Sequence, residues 1–161
     1  MGIDGLLDEY RKATMGTELW GPTFFSEVLN KVQNLMDSDG YLGCPFYHVL
    51  LFLTDGNIHD LRETIDAMVY ASNYPISIII VGIGDEDFDM MIELDSDDKA
   101  LKDDKNNEAK RDIVQFVKYD QSIEMGNLGV EVLKEIPAQV CRYMEMVGYE
   151  PKKVNADMSK I

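Results

Sequence analysis

An α/β domain built on a parallel sheet is what this sequence predicts, and three features carry the prediction. Tyr47-His48-Val49-Leu50-Leu51-Phe52-Leu53 and Ile76-Ser77-Ile78-Ile79-Ile80-Val81 are continuous apolar runs rather than alternations. Such runs indicate strands covered on both faces, as in a parallel sheet. Apolar residues at helical spacing fill the stretches between and around them, so strands alternate with helices. A shorter run, Ile113–Val117, supplies a third strand. The expected architecture is a doubly wound, Rossmann-like sheet of three parallel strands with flanking helices.

The elements follow in order. A short helix from about Gly5 to Ala13 opens the chain. Phe25, Val28, Leu29, Val32, Leu35 and Met36 have i, i+3, i+4 spacing and mark a second helix beginning near Phe24. Thr23 stands where a helix cap would stand. The first strand run ends at Thr54-Asp55-Gly56. Leu61, Ile65, Met68 and Ser72 mark the next helix, with Asp60 and Glu63 spaced as a capping box. The second strand follows Pro75 and ends at Gly82-Ile83-Gly84. A short helix and an acidic loop lead to the third strand. Val132, Leu133, Ile136, Val140, Tyr143 and Met144 mark one long C-terminal helix, kinked at Pro137. Residues 1–150 form the folded unit, and residues 151–161 form a polar tail.

Composition narrows the function classes. A formal net charge of −15 argues against nucleic acid, whose phosphates need Lys and Arg, and against direct binding to anionic lipid. No run approaches the roughly 18 apolar residues of a membrane span, and no basic stretch followed by an apolar core opens the chain. The two cysteines, Cys44 and Cys141, form no CxxC pattern, so reduced cytoplasmic thiols are expected. From Asp85 to Asp104 there are ten acidic residues and two lysines, the pattern of a solvated acidic loop. A calcium loop starting at Asp95 fails on spacing: the fifth position is Lys99, the sixth is Ala100 and the twelfth is Asn106.

Two residues stand out for chemistry. In an open parallel sheet, ligands bind outside the carboxyl ends of the strands. Asp55 directly follows the strongest strand, and Gly56 after it lets the backbone turn. A carboxylate there suits a hard metal ion, or caps the next turn. Thr23, in Trp20-Gly21-Pro22-Thr23-Phe24-Phe25, is one helix and one strand away and can converge on the same sheet edge. Gly82-x-Gly84 fails as a dinucleotide loop because Asp87 stands where the third Gly belongs. His48 and His59 have no nucleophile in a recognisable motif, and no paired carboxylates mark acid–base work. An enzyme is therefore not expected.

Leu53-Thr54-Asp55-Gly56 after an apolar strand resembles the third metal-site motif of von Willebrand factor A domains. The copine family is the closer resemblance. Gly21-Pro22-Thr23-Phe24, Ile76-Ser77-Ile78-Ile79-Ile80-Val81-Gly82-Ile83-Gly84, Arg111-Asp112-Ile113-Val114-Gln115-Phe116-Val117, and Glu135-Ile136-Pro137 with Gln139 are similar to that family in order and spacing. The likeness runs from about Gly2 to Met146. It implies a metal-ion-dependent adhesion site, usually holding Mg²⁺, with Thr23 and Asp55 as two ligands. A protein partner would reach the ion with an acidic side chain. The family's Asp-x-Ser/Thr-x-Ser motif, which supplies the other ligands, does not occur before Thr23. Nor do its first strands or its calcium-dependent lipid-binding domains, so membrane recruitment would come through domains outside this chain.

The resulting expectation is the C-terminal portion of a copine-type A domain, a protein-interaction module with a partial metal site. Alternatives are the related A domain of RING ubiquitin ligases and a nucleotide- or phosphate-handling enzyme. The first is disfavoured by the absence of a Cys/His cluster in this sequence, the second by the absence of a Gly-rich helix start. With Ile76–Val81 central, the Tyr47–Leu53 edge would be open and the helix around Phe25, Val28 and Val32 would expose apolar surface. Self-association of the isolated chain is expected from such an edge.

Overall fold

A computed structural model of the chain describes residues 2–18, 20–38, 46–95 and 99–150. The polar tail expected at 151–161 lies outside the described residues. Three strands, β1 (His48–Thr54), β2 (Ile76–Gly82) and β3 (Val114–Lys118), form a parallel sheet in the order β1-β2-β3. The helices are α1 (Ile3–Gly16), α2 (Phe25–Ser38), α3 (Leu61–Ala71), α4 (Asp89–Leu94), α5 (Tyr119–Glu124), α6 (Leu128–Leu133) and α7 (Ile136–Met146). The α/β class and the central position of Ile76–Val81 are as the sequence predicts.

Apolar content positions each layer. All seven residues of β2 are buried. Ile76, Ile78 and Ile80 join a core with Phe25, Leu29 and Met36 of α2, Ile65 and Met68 of α3, and Met91 and Leu94 of α4. On the opposite face, the Ser77 hydroxyl of β2 donates to Gln139 Oε1 of α7 at 2.5 Å. Among the described residues this second layer does not extend over β1. Val49, Leu51 and Leu53 are 48%, 54% and 64% exposed, although their registered neighbours Ser77, Ile79 and Val81 on β2 are buried.

Several local expectations are corrected. Phe25 is buried rather than exposed: its ring stacks on Phe52 of β1 with centroids 4.2 Å apart and planes 10° apart. Val32 packs partly into the core, whereas Val28 is exposed. The single kinked C-terminal helix is two helices, α6 and α7, separated at Lys134 and Glu135. Pro137 sits in the first turn of α7, where its missing N–H would have had no helical partner anyway. Asp60 makes no side-chain cap on α3, so the capping box with Glu63 does not form. Helix α5 was not foreseen; its six residues carry too little periodicity to be read.

Candidate functional site

Thr54 Oγ1 accepts the Gly56 N–H at 3.0 Å, and Asp55 Oδ1 accepts the Asn57 N–H at 3.2 Å. These two bonds shape the turn that leaves β1. Gly56 has φ +99°, and a Cβ there would lie 2.7 Å from both the Asp87 carbonyl and the Phe88 ring. Only glycine combines that backbone conformation with so close an approach. Asp55 is thus held, exposed, at the carboxyl end of β1.

The Thr23 loop is fastened to the same end. Thr23 donates its N–H to His59 Nδ1 at 3.3 Å, and the His59 N–H donates to the Thr23 carbonyl at 3.0 Å. One position on, Asp60 is only 5% exposed, and its two carboxylate oxygens accept the N–H groups of Phe25 and Ser26 at 3.1 and 2.8 Å. The first amides of α2 are therefore capped from another loop, not by Thr23. The Asp60 carbonyl meanwhile accepts the Thr64 N–H at 2.8 Å and starts α3. Burial pushes the Asp60 carboxyl up, but the Ser26 side chain, the Ser26 and Phe25 amides and, least, the Thr64 side chain outweigh it and hold the group below its ordinary value.

Thr23 and Asp55 are thus brought to one sheet edge, both exposed. As a hydroxyl and a carboxylate they suit Mg²⁺ in kind, but two side chains fill a minority of its octahedron. Asn57, two residues past Asp55, lines a cavity of about 180 Å³ together with Glu86, Asp87, Asp89 and Met90. In the sequence, Asp60 is spaced as a local cap and His59 belongs to no motif. Both act across the chain, and only the spacing from Asp55 hinted that they share its turn.

The copine family model matches residues 1–152. The chain belongs to the copine family. Nicotinic receptor-associated protein 1 of Caenorhabditis elegans is 40% identical over 171 residues, covering 96% of this chain and 26% of the relative. Copine-C of Dictyostelium discoideum is 40% identical over 151 residues, covering 93% and 28%. Protein BONZAI 1 of Arabidopsis thaliana is 40% identical over 153 residues, covering 93% and 26%. The chain spans about a quarter of the length of these curated relatives.

The copine-like stretch Arg111–Val117 works at the other end of the sheet. Arg111 is buried, with 7% exposure. Its Nη1 donates to the Tyr47 hydroxyl at 3.0 Å and its Nη2 to the carbonyls of Ile76, at 2.7 Å, and Tyr74. The guanidinium lies 5.7 Å from the Tyr47 ring centroid and 5.3 Å from that of Tyr143. Burial lowers its pKa from the ordinary value. Gln139 of α7 completes the cluster by donating to Asp112 Oδ2 at 3.2 Å and to the Val114 carbonyl at 3.3 Å. In this copine the conspicuous Arg-Asp and Gln residues therefore join the strand starts to α7, and the exposed oxygen donors lie at the opposite end.

Proposed function

We propose that this copine segment is a non-enzymatic protein-interaction module whose partner-facing site is the carboxyl end of β1, around Thr23 and Asp55. The observation that carries the reading is the pair of hydrogen bonds between Thr23 and His59, one to the imidazole and one between backbones, which holds one candidate ligand loop on the turn that bears the other. Mg²⁺ bound there would link the domain to an acidic side chain of a partner. With only Thr23 and Asp55 as ligands, this chain by itself binds the ion weakly. The name of the worm relative, associated with a nicotinic receptor, is in keeping with a protein-binding role. A nucleotide-handling reading is opposed by Asp85, Glu86 and Asp87, which directly follow Gly84 and would repel phosphate. Among the described residues no helix is long and apolar enough to cross a membrane; a cytoplasmic location, with membrane recruitment through other domains, accords with that.

Titration with Mn²⁺ as a paramagnetic stand-in tests the site. Amide broadening concentrated at residues 20–24 and 54–60, with a midpoint in the millimolar range, is the expected result. Broadening concentrated instead along residues 85–104 would overturn the reading. Self-association belongs to the same proposal. Strand β1 carries neither charge nor proline, the usual protections of an edge. Sedimentation of wild type should show oligomers that Leu51→Lys reduces; a wild-type monomer at every concentration would remove this part.

A further inference from the structure

We infer that Asp60 is a positioning residue: its carboxylate clamps the Thr23 loop and the start of α2 onto the turn that carries Asp55, and so sets the geometry of that pair. The inference rests on the reading of Thr23 and Asp55 as the metal-facing residues, but the clamp itself is a property of the metal-free chain.

Three observations converge. The first is where the carboxylate is spent. An Asp at the N-terminus of a helix ordinarily serves its own helix. Asp60 precedes α3, yet its side chain makes no cap there. Both oxygens accept amide N–H groups of α2, from Phe25 and Ser26, which are 35 and 34 residues away, and α3 contributes only the weaker pull of the Thr64 side chain. A helix begins with N–H groups that have no internal partner, and a carboxylate facing them gains from charge-assisted bonding and from the helix dipole.

The second is burial. Asp60 is 5% exposed, and an ionised carboxylate out of water is tolerated only with strong partners. Its partners hold its pKa below the ordinary value despite that burial. The third is the fastening on either side. His59 and Thr23 exchange two backbone-anchored hydrogen bonds, and Phe25 stacks on Phe52 in β1. Asp60 sits between these contacts, so the loop before α2 and the turn after β1 form one unit. The arrangement also relieves Thr23 of capping. Its hydroxyl can face a ligand because another residue satisfies the helix.

Residue-resolved hydrogen exchange of the full chain, without metal, tests the clamp. The variants are Asp60→Ala and Asp60→Asn, with Thr23→Ala as comparison. In Asp60→Ala, exchange at Phe25 and Ser26 should accelerate at least tenfold, and exchange at His59, whose N–H reaches Thr23, should accelerate with it. Protection at Ile78 and Ile80 in the core should change much less. Asp60→Asn keeps a neutral acceptor and should give a smaller change at the same amides; it also serves should the alanine variant fail to fold. Thr23→Ala should leave Phe25 and Ser26 protected.

Unchanged exchange at Phe25 and Ser26 in both Asp60 variants would overturn the inference. So would loss confined to those two amides with His59 untouched, which is a cap without a clamp. An equal loss at Ile78 and Ile80 would reduce Asp60 to a general stabiliser and overturn it as well. The metal reading fails separately, if Mn²⁺ broadens neither loop of wild type, and that result leaves the exchange data to decide the clamp.

Discussion

The two ends of the sheet are built on opposite plans. At the amino end, Arg111, Tyr47, Ser77 and Gln139 turn inward and bond to one another and to the start of β2. At the carboxyl end, the only comparably buried charge described is Asp60, and it is spent on backbone amides, while Thr23 and Asp55 remain exposed. One end is closed by polar groups and serves stability. The other is shaped by hydrogen bonds to the backbone, and the Thr23 and Asp55 side chains stay exposed. Distinctive polar residues in a sequence can therefore serve packing alone.

Substitution at the closed end should have the largest effect. Arg111→Met removes the donors to the Tyr74 and Ile76 carbonyls and to the Tyr47 hydroxyl, so urea denaturation should show a loss of about 3 kcal/mol. A loss under 1 kcal/mol would break the comparison. At the open end, Gly56→Ala meets both a positive φ and the Asp87 and Phe88 atoms. A cost of about 2 kcal/mol is expected, together with displaced amide shifts at residues 85–88.

Acid titration sharpens the contrast further. A carboxylate whose folded pKa is depressed stabilises the protein above its unfolded pKa of about 4, and the contribution disappears as pH falls through the lower folded value. Asp60 behaves this way. The urea midpoint of wild type should therefore drop below about pH 4, and Asp60→Asn should lack that part of the drop. The smallest effect belongs to Thr23→Ala. With α2 capped by Asp60, thermal melting should change by no more than about 0.5 kcal/mol. A loss as large as that of Arg111→Met would mean that the carboxyl end is a structural plug too.

The strands were legible because β2 and β1 are written in unbroken apolar residues, and that pattern survives any context. The same pattern overstated β1, one face of which is exposed at Val49, Leu51 and Leu53. A strand sequence records the cover it is suited to, not the cover present among the described residues. Asp55 and Thr23 could be picked out by position relative to a strand end and by likeness to a motif. The cross-loop action of Asp60 could not, because its partners are 34 and 35 residues away and its local spacing to Glu63 offers a plausible alternative. The burial of Phe25 is illegible for a related reason: periodicity shows which face of a helix is apolar, but not which strand residue, here Phe52, will stack against it. Arg111 was legible only as a likeness; its buried bonds depend on the parallel register that sets Ile76 beside His48.

The borrowed cap also has a consequence for the order in which this chain folds. A helix of the length of α2 is marginal by itself in water, and here its leading amides wait for an acceptor that arrives only after β1 has been laid down and the turn beyond it has closed. Helix α2 is therefore expected to fray at its start in any partly folded state and to finish late. Strand, turn and helix end then lock in a single cooperative step, whose rate is governed by closing that long loop more than by the helical preference of the residues inside it.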